Sequence, residues 1–211
     1  MADSAAMRAA AAVIAATGAA ALSTQPFVAH DMIPVLTHHA ASWPRVAWVL
    51  SGFFTILTHL ANTALMAHLA ATGRAPGRLA LPALVLALVM TFAIYHTMLA
   101  DLWSPTGYAL WADHALHTVL PVAVLAFWLA FGRLDRLGPA TPLSWLAWPA
   151  VYAIYALGRG ALTGEYPYPF LDPALQGPRG VLTTLAAMAA GFVAGAYALL
   201  GLGRVAARLR V

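Results

Sequence analysis

The residues best suited to chemistry lie in the run W-A-D-H-A-L-H-T-V-L-P, residues 111–121. Asp113, His114, His117 and Thr118 fall within six residues at the start of an apolar segment. If this segment is helical, Asp113 and His117 are i,i+4 neighbours and His114 and His117 are i,i+3 neighbours, so all three share one face. Ionisable side chains inside a membrane helix are energetically costly, and their default interpretation is a functional site. We therefore expect the site here.

A second polar face lies in the run F-F-T-I-L-T-H-L-A-N-T. Its Thr55, His59 and Asn62 recur at helical spacing, so they lie on one side of a helix. Thr55 and Thr58 also have an ordinary interpretation, since membrane threonines commonly donate to a carbonyl one turn earlier in their own helix. Because a histidine-bearing face is predicted at similar depth on another helix, we favour a site shared between the two.

The composition makes the lipid bilayer the expected solvent of this chain. Of its 211 residues, 62% are hydrophobic and only 9% are charged, against about 25% charged in soluble domains. The absence of cysteine excludes disulfides, thiolate metal sites and a cysteine nucleophile. All eleven basic residues are arginines dispersed at segment ends, so we expect no nucleic-acid partner.

Six apolar segments approach the ~20 residues that a membrane helix needs. The connections between them are marked by proline and glycine, without a long linker or a repeat. We therefore predict an all-α polytopic membrane protein with one six-helix domain, residues 1–211, whose helices lie near 7–29, 46–71, 79–101, 112–132, 142–161 and 180–202. The alanine-rich run after Arg8 also resembles a cleaved signal peptide, but its continuation through Val28 favours a retained helix.

The arginines predict the orientation, because cytoplasmic loops carry an excess of them. Three fall on one side of the predicted bundle, at positions 45, 159 and 179. Eight fall on the other side, at positions 8, 74, 78, 133, 136, 204, 208 and 210. Both termini should therefore be cytoplasmic. The alanine- and arginine-rich composition is typical of GC-rich bacterial genomes, so we expect the bacterial inner membrane.

This orientation brings the candidate residues to similar depths. At 1.5 Å per residue, His117, His96 and Thr55 lie roughly 8, 9 and 15 Å below the outer surface. We expect one cavity in the outer half of the bilayer, with His96 in a supporting role. Pro121 lacks the N–H that would bond the His117 carbonyl, so a kink beside the cavity is also expected.

The connection before the last helix contains G-E-Y-P-Y-P-F-L-D. Its two X-Pro bonds favour a stiff, extended backbone. Tyr166, Tyr168 and Phe170 form either a rigid lip that touches substrate or an aromatic belt at the lipid–water boundary. Arg159 is suited to bind a carboxylate or phosphate head group, or its side chain extends to the interface without a ligand.

Together, D-H-A-L-H-T-V-L-P, F-F-T-I-L and Y-P-F-L-D resemble the androgen-induced-gene family of multipass membrane proteins and its bacterial relatives. The resemblance covers residues 46–200, with the segments in the same order. The chain differs from the eukaryotic pattern at Thr58-His59 and Arg159-Gly160, and is more similar to the bacterial branch. Eukaryotic members are threonine hydrolases that cleave fatty acid esters of hydroxy fatty acids.

The resemblance implies that Thr55 is the nucleophile and His117 the base. Neutral imidazole is suited to take the proton of a threonine hydroxyl near neutral pH. Asp113, His114 or His96 would orient the imidazole, with His59 and Thr58 as further supporting residues. Thr58 also stays open as the nucleophile. The expected partners are a lipid substrate and the bilayer, and this chemistry requires neither cofactor nor metal.

Two other functions fit the same residues. His59, His96, His114 and His117 could converge on zinc, iron or haem, for which neutral imidazole is a good ligand. A lipid carrier without enzymatic activity could use the same cavity. An activated hydroxyl that reacts with a fluorophosphonate probe would distinguish the hydrolase from both.

Overall fold

The structure, a computed structural model, describes residues 4–37, 40–74, 79–132, 134 and 138–209. Over these residues every regular element is a helix, which confirms the predicted all-α class. The chain divides into two compact units, Met1–Arg133 and Leu134–Val211, which are described separately. Four arginines that contribute to the predicted orientation lie outside the described residues: Arg78, Arg133, Arg136 and Arg210.

The first unit consists of six α-helices with two π-helical turns among them. The helices are α1 (Ser4–Thr37), α2 (Trp43–Gly52), α3 (Phe54–Thr72), α4 (Ala80–Ile94), α5 (Gly107–His114) and α6 (Leu120–Phe131). One π turn, Tyr95–Leu99, extends α4 and leads into a 3₁₀ turn, Ala100–Leu102; the other, Ala115–Val119, joins α5 to α6. A π turn is a rare element that is frequent at functional sites.

Helices α1 and α3 pack antiparallel over much of their length. Near the start of α1, the Arg8 side chain donates to the Ala70 and Ala71 carbonyls at the end of α3, at 2.9 and 3.2 Å. Further along α1, Gly18 lies against the Thr63 side chain of α3. Residues later in α1 contact residues earlier in α3, so the end of α1 lies near the beginning of α3.

The helix predicted near 46–71 is not continuous. Phe53 is extended (φ −85°, ψ 128°), and α2 and α3 meet there at 88°. The preceding pair Ser51-Gly52 explains the position of the break, since sharp bends concentrate at such pairs and glycine weakens a helix interior. Thr55 therefore lies in the first turn of a new helix rather than in the middle of a long one.

The second unit contains α7 (Thr141–Trp145), α8 (Ala147–Thr163), a 3₁₀ turn (Pro169–Leu171) and α9 (Pro173–Leu209). The helix predicted near 142–161 is thus divided at Leu146. In α9 the backbone of Gly177 is not helical (φ 69°, ψ 158°), so the long regular segment follows it. Glycine adopts this positive φ without the steric penalty that other residues have.

Four helical segments are long and apolar enough to cross a membrane: Ala5–Val35, Ala80–Leu102, Gly107–Phe131 and Pro173–Leu209. The bent pair α2–α3 is a fifth if it counts as one span. These segments support the prediction of a membrane protein with several transmembrane helices. The described part of the second unit contributes α9 to these segments. A sixth span and the side of the termini remain predictions.

The Gly18 contact predicts a specific stability defect. In Gly18→Ala the new methyl overlaps the Thr63 hydroxyl, and overpacking of this kind costs about 1–3 kcal/mol. We expect a lower Tm in detergent, with recovery in the double variant Gly18→Ala/Thr63→Ala. Gly201→Ala is the matched control, since Gly201 is helical and a Cβ there meets nothing within 4 Å. Because alanine gains about 1 kcal/mol of helix propensity at both positions, a Tm change in Gly18→Ala equal to that in Gly201→Ala would contradict the close packing of α1 and α3.

Candidate functional site

Asp113 and His117 form a hydrogen-bonded pair in the first unit. His117 Nδ1 lies 3.1 Å from Asp113 Oδ1 and also 3.1 Å from the Asp113 carbonyl oxygen. Both oxygens only accept hydrogen bonds, so Nδ1 carries the proton and Nε2 of the neutral ring holds the lone pair. Among the described residues no side chain or carbonyl bonds Nε2. This is the arrangement of a general base whose ring a carboxylate orients.

Tyr95, from the π turn that extends α4, completes the surroundings of this pair. Its hydroxyl donates to Asp113 Oδ2 at 2.5 Å, so each carboxylate oxygen has a partner. Its ring stacks on the His117 imidazole, with centroids 3.8 Å apart and planes 10° from parallel. Asp113 is 5% exposed, and a buried carboxylate persists only when its oxygens are bonded. Tyr95 cannot be recognised from spacing in the sequence, because only helix packing brings it to Asp113.

The two π turns face each other at a second pair of residues. His96 Nε2 lies 3.0 Å from Thr118 Oγ1, within the distance expected between a base and a hydroxyl nucleophile. Thus Tyr95 of one turn stacks on His117 of the other, and the adjacent His96 contacts the adjacent Thr118. His96 is exposed, and within the described chain no carboxylate orients its ring. Among the described residues no hydrogen bond joins His96 to His117, so the supporting role of His96 stays a prediction.

His59 connects α3 to the π turn of His117. Its Nε2 donates to the Leu116 carbonyl at 2.7 Å, and the residue is fully buried. Within the π turn, the Leu120 N–H bonds the carbonyl five residues earlier, at Ala115. In this register the N–H of residue 121 would bond the Leu116 carbonyl. Residue 121 is a proline, which has no N–H. Pro121 therefore leaves the Leu116 carbonyl without a helical partner, and His59 satisfies it; the predicted loss of a partner at the His117 carbonyl stays a prediction.

Thr55 does not bond its own helix, unlike several other threonines of the chain. Six others donate to a carbonyl three or four residues earlier in their own helix, at 2.7–2.9 Å: Thr24, Thr72, Thr91, Thr97, Thr163 and Thr183. Thr55 lies two residues after the α2–α3 break, so no helical turn precedes it. Its hydroxyl has no hydrogen-bond partner within the described residues, and it is half-buried. Thr58, by contrast, is fully buried.

Three contacts bring Thr55 and the Asp113–His117 pair to the same end of the first unit. The antiparallel packing of α1 and α3 puts the beginning of α3 near the end of α1. The Tyr108 hydroxyl, at the beginning of α5, donates to Asp31 near the end of α1 at 3.0 Å. The bond from His59 to Leu116 fixes the register between α3 and α5–α6.

From this register the relative heights follow. Thr55 lies four residues before His59, and Asp113 three residues before Leu116, which is roughly 6 and 4.5 Å of helix. Helical side chains tilt toward the N-terminus, so the imidazole of His117 extends toward the level of Asp113. From these offsets we expect Thr55 and the imidazole to lie at similar heights along neighbouring helices.

His114 is the remaining histidine of the motif. His114 is exposed, and no hydrogen bond of its side chain to a described residue is present. His59 Nε2, His96 Nε2 and His117 Nδ1 bond to a carbonyl, a hydroxyl and a carboxylate. Over the described residues, no three histidine or carboxylate side chains come together as a set of metal ligands. Convergence of the four histidines on a metal or haem is therefore not observed.

The four predicted substrate-binding residues belong to the second unit. Arg159 is 9% exposed, and its Nη1 donates to the Tyr155 hydroxyl at 3.3 Å. Tyr166 packs its ring against Gly160, where any Cβ would overlap it. Tyr168 and Phe170 stack, with centroids 5.0 Å apart. The loop is thus held against its own unit, and its role in substrate binding remains a prediction.

Neither the protein-family models, nor the curated proteins, nor the solved structures include a match to this chain. The resemblance to the androgen-induced-gene family therefore rests on the sequence motifs alone. The description of the site rests on the side-chain geometry of the first unit.

The Tyr95 bond to Asp113 predicts a measurable loss of stability. Tyr95→Phe keeps the stacked ring but leaves a buried carboxylate oxygen unpaired, and a hydrogen bond to a charged group is worth about 1.5–3 kcal/mol. We expect a correspondingly lower free energy of unfolding in detergent. Tyr197→Phe is the control, since Tyr197 is 43% exposed and has no hydrogen bond to a described residue. Equal stability of both variants would contradict the buried bond.

Proposed function

We propose that this chain is a membrane hydrolase of lipid esters, with Thr55 as nucleophile and His117 as base. The observation that carries the proposal is the Asp113–His117 pair, in which Nδ1 is bonded to a carboxylate and Nε2 is left for proton transfer. The unbonded Thr55 hydroxyl, expected at a similar height, supports its assignment. The substrate class, fatty acid esters of hydroxy fatty acids or similar lipids, comes from the family resemblance.

The reaction proceeds in two steps. Thr55 Oγ attacks the ester carbonyl carbon while His117 Nε2 takes the hydroxyl proton, and the tetrahedral intermediate collapses when this proton passes to the leaving alcohol. Water then attacks the acyl-threonine with His117 again as base, which releases the fatty acid and restores the Thr55 hydroxyl. Asp113 holds the ring and stabilises the transient imidazolium, as the third member of a triad does.

We further propose six membrane spans, with both termini in the cytoplasm of a bacterial cell and the site in the outer half of the inner membrane. The four apolar segments, or five if the bent α2–α3 pair is one span, support the coarser part of this topology. The distribution of arginines supports the orientation. A substrate with two acyl chains suits such a site, because the chains stay in lipid throughout the reaction.

A covalent probe tests the nucleophile. Intact mass of the purified protein after incubation with a fluorophosphonate should show one adduct on the wild type, which fragmentation assigns to Thr55. The adduct should be lost in Thr55→Ala and in His117→Ala, because an unactivated threonine hydroxyl does not react. Thr24→Ala is the matched control, since Thr24 is also half-buried but bonds its own helix.

Fragmentation also separates this proposal from its rivals. An adduct on Thr118 that requires His96 would assign the second threonine–histidine pair as the reactive one. An adduct on Thr58 would move the nucleophile one turn along α3. Folded wild type without any adduct would contradict the hydrolase and favour a lipid carrier.

The role of Asp113 can be tested by kinetics. In Asp113→Asn an NH₂ group replaces one of the two carboxylate oxygens, so only one acceptor remains for the Tyr95 hydroxyl and His117 Nδ1. The imidazole therefore loses the bond that fixes its tautomer. We expect kcat on a long-chain ester to fall by about 10²–10⁴-fold, with a smaller change in KM. Asp172→Asn should retain activity, because the Asp172 carboxylate accepts from the Ala174 N–H in the second unit, and asparagine caps a helix about as well as aspartate does. Equal activity of Asp113→Asn and wild type would remove the oriented base from the mechanism.

A further inference from the structure

A cluster of buried polar groups lies on α3, one turn beyond Thr55. His59, Asn62 and Thr63, here called the buried polar cluster, occupy positions i, i+3 and i+4 of this helix. His59 and Asn62 are 0% exposed. Within the described chain, no hydrogen-bond partner is found for His59 Nδ1, for either amide atom of Asn62, or for the buried Thr63 hydroxyl.

The chemistry of these four atoms restricts what they bind. His59 Nε2 donates to the Leu116 carbonyl, so Nδ1 of the neutral ring is an acceptor. The Asn62 amide offers two N–H donors and an acceptor, and the Thr63 hydroxyl offers one of each. The cluster therefore presents donors and acceptors together and carries no charge.

Several ligand classes fit this set poorly. Hard cations prefer several oxygen ligands, usually with carboxylates, whereas this cluster offers two neutral oxygens. A buried anion needs a cationic partner, and the cluster contains none. An apolar group would leave polar atoms unpaired at about 1–3 kcal/mol each. Water both donates and accepts, and buried waters typically bond polar groups that lack a protein partner.

We propose that His59, Asn62 and Thr63 bind internal water, and that this water supplies the second step of the reaction. The binding site stands on the unpaired atoms alone, whereas the role in hydrolysis rests on the proposed function. The position supports the role: His59 bonds the residue adjacent to His117 and lies one turn from Thr55. In that step the water oxygen bonds the acyl carbon, its proton passes to His117 Nε2, and the bond from the acyl carbon to Thr55 Oγ breaks.

Radiolytic footprinting tests the binding site without reference to activity. X-ray pulses convert bound water to hydroxyl radicals, which oxidise adjacent side chains. Met66 lies one turn beyond Asn62 and is 0% exposed, so solvent radicals do not reach it. We expect oxidation of Met66 in wild type, falling to background in Asn62→Leu, while Met98, 42% exposed, is oxidised equally in both. Unmodified Met66 in wild type would overturn the site.

Stopped-flow kinetics with a p-nitrophenyl ester of a fatty acid tests the role. In Asn62→Leu and in the isosteric Thr63→Val, we expect the nitrophenol burst to keep its rate and steady-state turnover to fall about tenfold or more, because only deacylation is slowed. The acyl adduct should accumulate on Thr55. Thr91→Val is the control, a buried threonine that bonds its own helix.

The outcomes separate the two proposals. Turnover equal to wild type in both cluster variants, with the protein folded, would overturn the role of the water. Absence of burst and adduct in wild type would contradict the proposed function and this role with it. The oxidation of Met66 would still decide whether the cluster binds water.

Discussion

The first unit depends on one buried carboxylate. Asp113 is 5% exposed within an apolar helical segment, where an unpaired charge would be very unfavourable. Tyr95 satisfies one of its oxygens and His117 the other. These bonds bring the segment after α4 against the segment after α5, and they hold the imidazole in a single orientation. The requirement to pair Asp113 thus also prepares a base.

Three departures from a regular helix create the other features of the site. The break at Phe53 deprives Thr55 of a preceding turn, so its hydroxyl does not bond its own helix as six other threonines do. The π turn before Pro121 frees the Leu116 carbonyl, which recruits His59 from α3. The π turn Tyr95–Leu99 aligns Tyr95 and His96 with His117 and Thr118; no proline accounts for it. The first two irregularities leave a polar group without the bond that a regular helix would have given it, and the third positions two side chains.

The sequence predicted what depends on local spacing and composition, and missed what depends on packing. The apolar segments and the i,i+4 relation of Asp113 and His117 follow from periodicity and are present in the structure. The bond from Tyr95 joins two helices, so no spacing within either helix reveals it. Ser51-Gly52 is a local signal for the break between α2 and α3, but it lies within a long apolar run and was not recognised. A π turn adds one residue to a helical turn, and the 3.6-residue hydrophobic periodicity of the sequence does not show where this happens.

The most direct test of the account is the reactivity of a thiol at position 55. The chain has no cysteine, so Thr55→Cys introduces the only thiol, and a neighbouring imidazole promotes its ionisation. We expect iodoacetamide to alkylate this variant near neutral pH at least about tenfold faster than it alkylates Thr55→Cys/His117→Ala. Equal alkylation rates in the two proteins, both folded, would show that His117 does not act on residue 55.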